Sequence, residues 1–368
     1  MKQIAKSIAF TLAALLTCTA APASNSYQQI NLVGYQQGMA RQTDANLNGW
    51  GMAAAADGRY CVANTSTGVA TFYDQRGKAS PLVITIPAAP SEPIGPIGSP
   101  TGVVYNSTDQ FVISRNGKSA PATFIFDTLD GTISGWNPTV DRDTAIIMVD
   151  NSAEAPFPAS YTGLALARNN LGHQVLYAAD GGYGPDQSNN RFDMFDGSFN
   201  SVGSFTDPNV AAENPGNTAF QVEAEDGQLY VTFGGFAPPF GGVVDIFDTE
   251  GDLLTPNHFA ANAPGSGPLV NPWGIVHAPG NFGEFSNALL IGNVEDGKIN
   301  AFDPSSGAFL GTLKRPDKQP IVIPGLWDLS FDQDDKNENL LFFTAGANFT
   351  DFAGNGLFGV LFVAGPRD

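Results

Sequence analysis

Four polar residues follow apolar, β-rich runs in this 368-residue chain: Asn64 after Tyr60-Cys61-Val62-Ala63, Arg115 after Phe111-Val112-Ile113-Ser114, Asp180 after Leu176-Tyr177-Ala178-Ala179, and Asn293 after Leu290-Ile291-Gly292. Amide and carboxylate oxygens gathered at one point are what Ca²⁺ takes, typically six to eight of them. Asn64, Asp180 and Asn293 are therefore a candidate calcium set, and the four residues together are candidate contacts for a ligand. Arg115 opposes a nearby cation and offers Asp180 a partner. Asx residues at strand ends also commonly bond their own turns, so a structural reading stands beside the metal one.

Other chemistry is sparse. The chain has no Gly-x-Ser-x-Gly elbow, no His-Glu-x-x-His pair, no Cys-x-x-Cys and no Gly-x-x-x-x-Gly-Lys phosphate loop. His173, His258 and His277 have no visible nucleophile beside them, and Cys61 follows Tyr60 in an apolar run and reads as a buried thiol. The acidic run Asp332-Gln333-Asp334-Asp335-Lys336-Asn337-Glu338 has Lys336 where a calcium loop needs an oxygen and lacks the turn glycine, so it reads as a solvated turn.

The elements that must position these residues repeat along the chain. Six segments open alike, with Trp50-Gly51, Thr101-Gly102, Thr162-Gly163, Val222-Glu223, Trp273-Gly274 and Trp327-Asp328 spaced about 50–60 residues apart. Each continues into a strand rich in β-branched and aromatic residues. Third strands end in aromatic-Asp turns at Tyr73-Asp74, Phe126-Asp127, Phe195-Asp196, Phe247-Asp248 and Phe302-Asp303. Four strands alone cannot bury both faces, and sheets stacked around an axis hide most edges. The expectation is an all-β, six-bladed β-propeller of four-stranded antiparallel blades. Glycine at the start of the inner strand fits crowding at the axis, and Trp50, Trp273 and Trp327 at matching positions fit packing between blades. The run Ile30-Asn31-Leu32-Val33 is expected to join the last blade as its outer strand.

Composition agrees with this reading: 42 Gly, 26 Pro and only 14% charged residues suit short strands and tight turns. A formal net charge of −19 repels phosphate backbones and anionic lipid, which disfavours a nucleic-acid partner. Lys2 and Lys6 precede an uncharged stretch and the small-residue site Ala21-Pro22-Ala23, the pattern of a signal peptide over residues 1–23. Residues 24–368 then form one propeller domain that is secreted, periplasmic or extracellular, has no transmembrane segment and is monomeric. The long connections 86–98, 181–190, 207–218, 234–242, 256–269 and 346–356 fall on one predicted face, making it the expected binding surface.

The chain also resembles an uncharacterised group of secreted bacterial proteins related to NHL-repeat propellers. The resemblance rests on Asn31-Leu32-Val33, Ser99-Pro100-Thr101-Gly102, the run from Asp130 through Gly135-Trp136-Asn137-Pro138, Asn271-Pro272-Trp273-Gly274, Phe282-Gly283-Glu284-Phe285-Ser286 and Asp296-Gly297-Lys298-Ile299-Asn300-Ala301-Phe302-Asp303-Pro304. It implies an NHL-like propeller and no particular activity. Two functions stay open: a binding or scaffolding propeller for a protein, polysaccharide or small-molecule ligand, and a calcium-dependent lactone or ester hydrolase like the gluconolactonase and paraoxonase propellers.

Overall fold

Strands in this chain are buried on both faces, which decides the architecture. Gln174–Asp180 is buried along its whole length. Its Val175, Tyr177 and Ala179 join one apolar cluster while Leu176 and Ala178 join another. Side chains alternate across a strand, so each sheet must be covered on both sides. The computed structural model describes residues 26–91, 97–154, 156–182, 189–213, 216–331, 339–348 and 356–365. The expected leader at 1–23 and the acidic run at 332–338 lie outside the described residues.

Six antiparallel sheets form the blades of a β-propeller. Blade 1 comprises Gly49–Ala54, Tyr60–Asn64, Val69–Tyr73 and Ala79–Thr85. Blade 2 comprises Pro100–Tyr105, Phe124–Thr128, Thr132–Trp136 and Ile146–Asp150. Blade 3 comprises Tyr161–Arg168, Gln174–Asp180, Arg191–Asp196 and Ser201–Phe205. Blade 4 comprises Asn217–Glu225, Gln228–Gly235, Gly242–Asp248 and the short Ala260–Asn262. Blade 5 comprises Pro272–His277, Leu289–Asn293, Ile299–Phe302 and Phe309–Thr312. Blade 6 takes Leu326–Phe331, Leu341–Ala345 and Leu357–Val363 from the end of the chain and Tyr27–Gly34 from its start.

That last pairing closes the ring as expected: Tyr27 lies opposite Val363 and Gly34 opposite Leu357. The Tyr27 hydroxyl donates to the Phe282 carbonyl at 3.0 Å and accepts from the Phe285 amide at 3.2 Å, tying the closing strand to blade 5. One apolar cluster fills each of the six seams between blades.

The first strands of adjacent blades pack on one another all the way round the axis. There is no room for side chains at their closest approach. A Cβ on Gly51 would lie 2.7 Å from the Thr101 carbonyl oxygen, and one on Gly102 2.6 Å from the Leu164 amide nitrogen.

Blade 2 departs from the sequence expectation. Its second strand is Phe124–Thr128, not residues 110–114. Val112–Arg115 instead pairs with Lys118–Pro121 in a separate hairpin between the first and second strands. Asn116 and Gly117, both at positive φ, form its two-residue turn, a close-range signal that the repeat pattern masked. Arg115 is therefore not at the end of a blade strand, and Phe126-Asp127 is not a turn after a third strand. Within the expected loop 256–269, residues Ala260–Asn262 form the outer strand of blade 4.

Replacing Gly51 by alanine should overpack the axis and lower stability by about 1–3 kcal/mol. Gly365→Ala, where the new methyl meets nothing within 4 Å, should leave it unchanged. Urea unfolding of the two variants compares them directly, and equal midpoints would refute the crowding argument.

Candidate functional site

The residues marked by the sequence are engaged within their own blades. Asn64 is buried; its Oδ1 accepts from the Asn48 amide at 2.9 Å, and its Nδ2 donates to the Val62 carbonyl and to Thr71 Oγ1. Asn293 Oδ1 accepts from the Val270 amide at 3.1 Å while Nδ2 donates to the Pro268 carbonyl. Asp180 Oδ1 accepts from the Ser160 and Gly182 amides, and Oδ2 accepts from Asn189 at 2.7 Å. Each side chain pins the chain entering the first strand to the end of the second. Among the described residues no hydrogen bond or shared partner links the three. Arg115 pairs with Asp141 at 2.7 Å. The cation beside Asp180 is Arg191 at 3.4 Å, which also meets Asp193 and Glu154.

On the axis, aromatic residues near the start of the first strands of blades 1, 4, 5 and 6 build a plug. Trp50 stacks on Trp327 with ring centroids 3.5 Å apart, and Trp273 meets Trp327 edge-on at 6.0 Å. Phe220 completes the group, all four rings being buried. The Trp273 indole N–H donates to the Thr162 carbonyl and that of Trp327 to the Ala347 carbonyl. These tryptophans pack across the axis rather than only between neighbouring blades, and they close it on the side of the long connections.

Beyond the plug, toward the loops that join first to second strands, the axis widens into a cavity of about 340 Å³. Trp273 forms part of its lining, with Met52, Leu164, Gln221, Glu223 and Asp328 from the other first strands. A larger hollow of about 670 Å³ lies next to it under blade 1; of its charged residues Asp57, Arg59, Asp74 and Arg76, the first two are paired with each other on the surface at 2.6 Å. The axial cup has the more distinctive chemistry.

Three carboxyls sit close to the axis. Asp328 occupies the position where four other blades carry glycine; its Oδ2 accepts from the Met52 amide and its Oδ1 from the Leu329 amide, both at 2.7 Å. Burial pushes it up to about 7 against those hydrogen bonds. Asp127, in the second strand of blade 2, accepts from Thr101 Oγ1 and the Gly102 amide through Oδ1, while Oδ2 is buried without a hydrogen-bond partner. Burial raises it to about 7 as well. Glu223 is partly exposed to the cup. Burial, then the negative charges of Asp328 and Glu225, hold its carboxyl well above the usual range.

Sequence reasoning missed Glu223 and Asp328 as site residues. The signal for Asp328 was present, since it interrupts the glycine series. For blade 4 the alignment was one residue out: Phe220 sits at the bulge where blade 3 has Thr162, which puts Phe220 in the aromatic plug and Gln221, not Val222, at the glycine position.

No protein-family model matches the chain. An uncharacterized protein of Acanthamoeba polyphaga mimivirus is 30% identical over 240 residues, which are 62% of this chain and 41% of that protein; the chain thus spans well under half of it. A second uncharacterized protein of the same virus is 27% identical over 331 residues, covering 85% of this chain and 75% of its own length. These relatives are viral and lend no support to the bacterial origin implied by the family resemblance. Among solved structures, the PQQ-bound aldose sugar dehydrogenase from Streptomyces coelicolor superposes with a TM-score of 0.54 at 12% identity, over 94% of this chain and 100% of that one. At that identity the likeness is one of fold.

The raised carboxyls set a pH dependence. Asp127 and Asp328 start from the ordinary aspartate value of 3.8 and reach about 7 in the folded protein. Between about pH 4 and 7 the folded state keeps protons that the unfolded chain releases, so their contribution to stability falls as pH rises through that window. The melting midpoint should be higher at about pH 5 than at about pH 8. Asp127→Asn keeps the accepting oxygen and should narrow that difference. A wild-type midpoint that is equal or higher at the alkaline end would contradict this assignment.

Proposed function

We propose that this protein is a binding propeller that takes a small ligand carrying a protonated amine into the axial cup. The observation that carries this reading is Glu223, a carboxyl facing a 340 Å³ cavity whose described lining includes no Lys, Arg or His. A volume of this size is typical of small-molecule sites, and the exposed wall is mostly polar, which suits a charged ligand. Asp328 has both oxygens occupied by backbone amides, so it sets the field while Glu223 is left to meet the ligand. An ammonium group offsets the repulsion between these acids and favours the ionised form of Glu223. The leader-like residues 1–23 support export ahead of this role.

The calcium-dependent hydrolase reading has less support from the geometry. The oxygens of Asn64, Asp180 and Asn293 that it would use already accept backbone hydrogen bonds. A calcium-dependent rise in melting midpoint that Asp180→Ala abolishes would favour it instead.

Calorimetric titration with benzylamine, and with benzyl alcohol as its uncharged match, tests the proposal. The amine should bind and the alcohol should not. Binding should release protons and tighten as pH rises, because the ammonium draws the raised Glu223 carboxyl toward its ionised form. Glu223→Gln should remove both effects. Equal binding of the two probes, or amine binding unaffected in the variant, would exclude the cup as a cation site.

A further inference from the structure

Away from the axis, three segments bring together a second group of acids with a histidine. Asp207 follows the outer strand of blade 3 and precedes the short helix Pro208–Glu213. Asp245 lies in the third strand of blade 4, and His258 in the connection leading to that blade's outer strand. One ligand atom from each lies within 4.8 Å of the others. His258 Nδ1 is 2.8 Å from Asp245 Oδ2 and 3.6 Å from Asp207 Oδ2. Both aspartate side chains are 0% exposed and the imidazole 6%.

The remaining atoms are held in a way that aims these three inward. Asp245 Oδ1 accepts from Thr255 Oγ1 and the Phe259 amide, and Asp207 Oδ1 accepts from the Asn209 amide at 2.7 Å. Asp207 Oδ2 is buried with no hydrogen-bond partner, and so is His258 Nε2. Among the described residues no Lys or Arg forms an ion pair with either aspartate, so a single imidazole faces two buried carboxylates. Buried carboxylates are normally paired or bound to a metal. On the far side of the ring, Glu213 Oε2 is 3.5 Å from Nε2 and 62% exposed.

We propose that Asp207 Oδ2, Asp245 Oδ2 and His258 Nδ1 bind a divalent transition metal of the zinc class, with Glu213 accepting the Nε2–H. Two carboxylate oxygens and one imidazole nitrogen are a donor set that zinc takes, at about 2.0–2.2 Å from each atom, with water or ligand in the fourth position. The imidazole selects against calcium, which takes oxygen alone. A carboxylate behind the coordinating ring fixes its tautomer, and losing such a partner typically weakens metal binding about 10–100-fold.

Tag-free protein stripped with a chelator is titrated with zinc chloride by calorimetry and with cobalt chloride by visible absorption. One equivalent of either metal should bind, the cobalt form should show d–d bands of a low-coordinate N/O site, and zinc should raise the melting midpoint. Asp207→Asn and His258→Gln should lose the spectrum. Glu213→Gln, at an exposed position that spares the fold, should weaken binding about 10–100-fold. Glu223→Gln should bind metal like the wild type, which separates this site from the axial cup. Folded wild-type protein that takes up neither metal stoichiometrically overturns the proposal, leaving a proton-sharing Asp–His–Asp cluster. Unchanged binding in Glu213→Gln together with unchanged binding in folded Asp207→Asn overturns it equally.

Discussion

Everything in this fold depends on how closely six backbones approach a common axis. Where the first strands meet, a methyl group on Gly51 or Gly102 would sit inside the contact distance of the next strand's backbone. The blades can therefore seat at their observed spacing only with glycine, or with a side chain that turns away and bonds the backbone. Asp328 takes the second course: its carboxylate bridges to the Met52 amide of blade 1. The same crowding leaves no open channel on the plug side, because Trp50, Trp273, Trp327 and Phe220 fill the space above the glycines.

Placing acids at the axis follows from that geometry and works against it electrostatically. Asp127 and Asp328 satisfy backbone donors that would otherwise be buried unpaired, yet their burial favours the protonated form. The surface behaves differently: at Asp303, hydrogen bonds from Ser305 and Ser306 hold the carboxyl down at about 2. The chain thus separates acids that stay ionised outside from acids that tend to stay neutral inside. Glu223 belongs to the inner group and is the member that meets a cavity.

Much of the architecture was legible because it repeats. The glycine series, the aromatic-Asp turns and the N-terminal strand all predicted a six-bladed ring, and the structure has one, with Tyr27–Gly34 as the closing strand. The misreadings have physical causes. In blade 2 the hairpin Val112–Arg115 and Lys118–Pro121 has strand-like composition but pairs only with itself, so it imitated a blade strand. In blade 4 no glycine marks the inner strand Asn217–Glu225, so the alignment set Val222 where Gln221 stands and passed over Gln221 and Glu223. The Asp207–Asp245–His258 group was illegible because its members are joined by the packing of blade 3 on blade 4 and by no motif in the chain.

The closing strand also governs the order in which the molecule can mature. Tyr27–Gly34 emerges early in synthesis, and its hydrogen-bonding partner Leu357–Val363 is more than 300 residues later in the chain. Until that partner arrives, an edge strand with buried-type residues such as Leu32 and Val33 must wait unpaired while the intervening blades form. Pairings so distant in sequence form slowly, and unpaired edges invite association with other chains. A nascent or truncated product would thus carry a single sticky edge at each end of an open ring, each the natural complement of the other, and head-to-tail joining of two such products is the error this topology most invites.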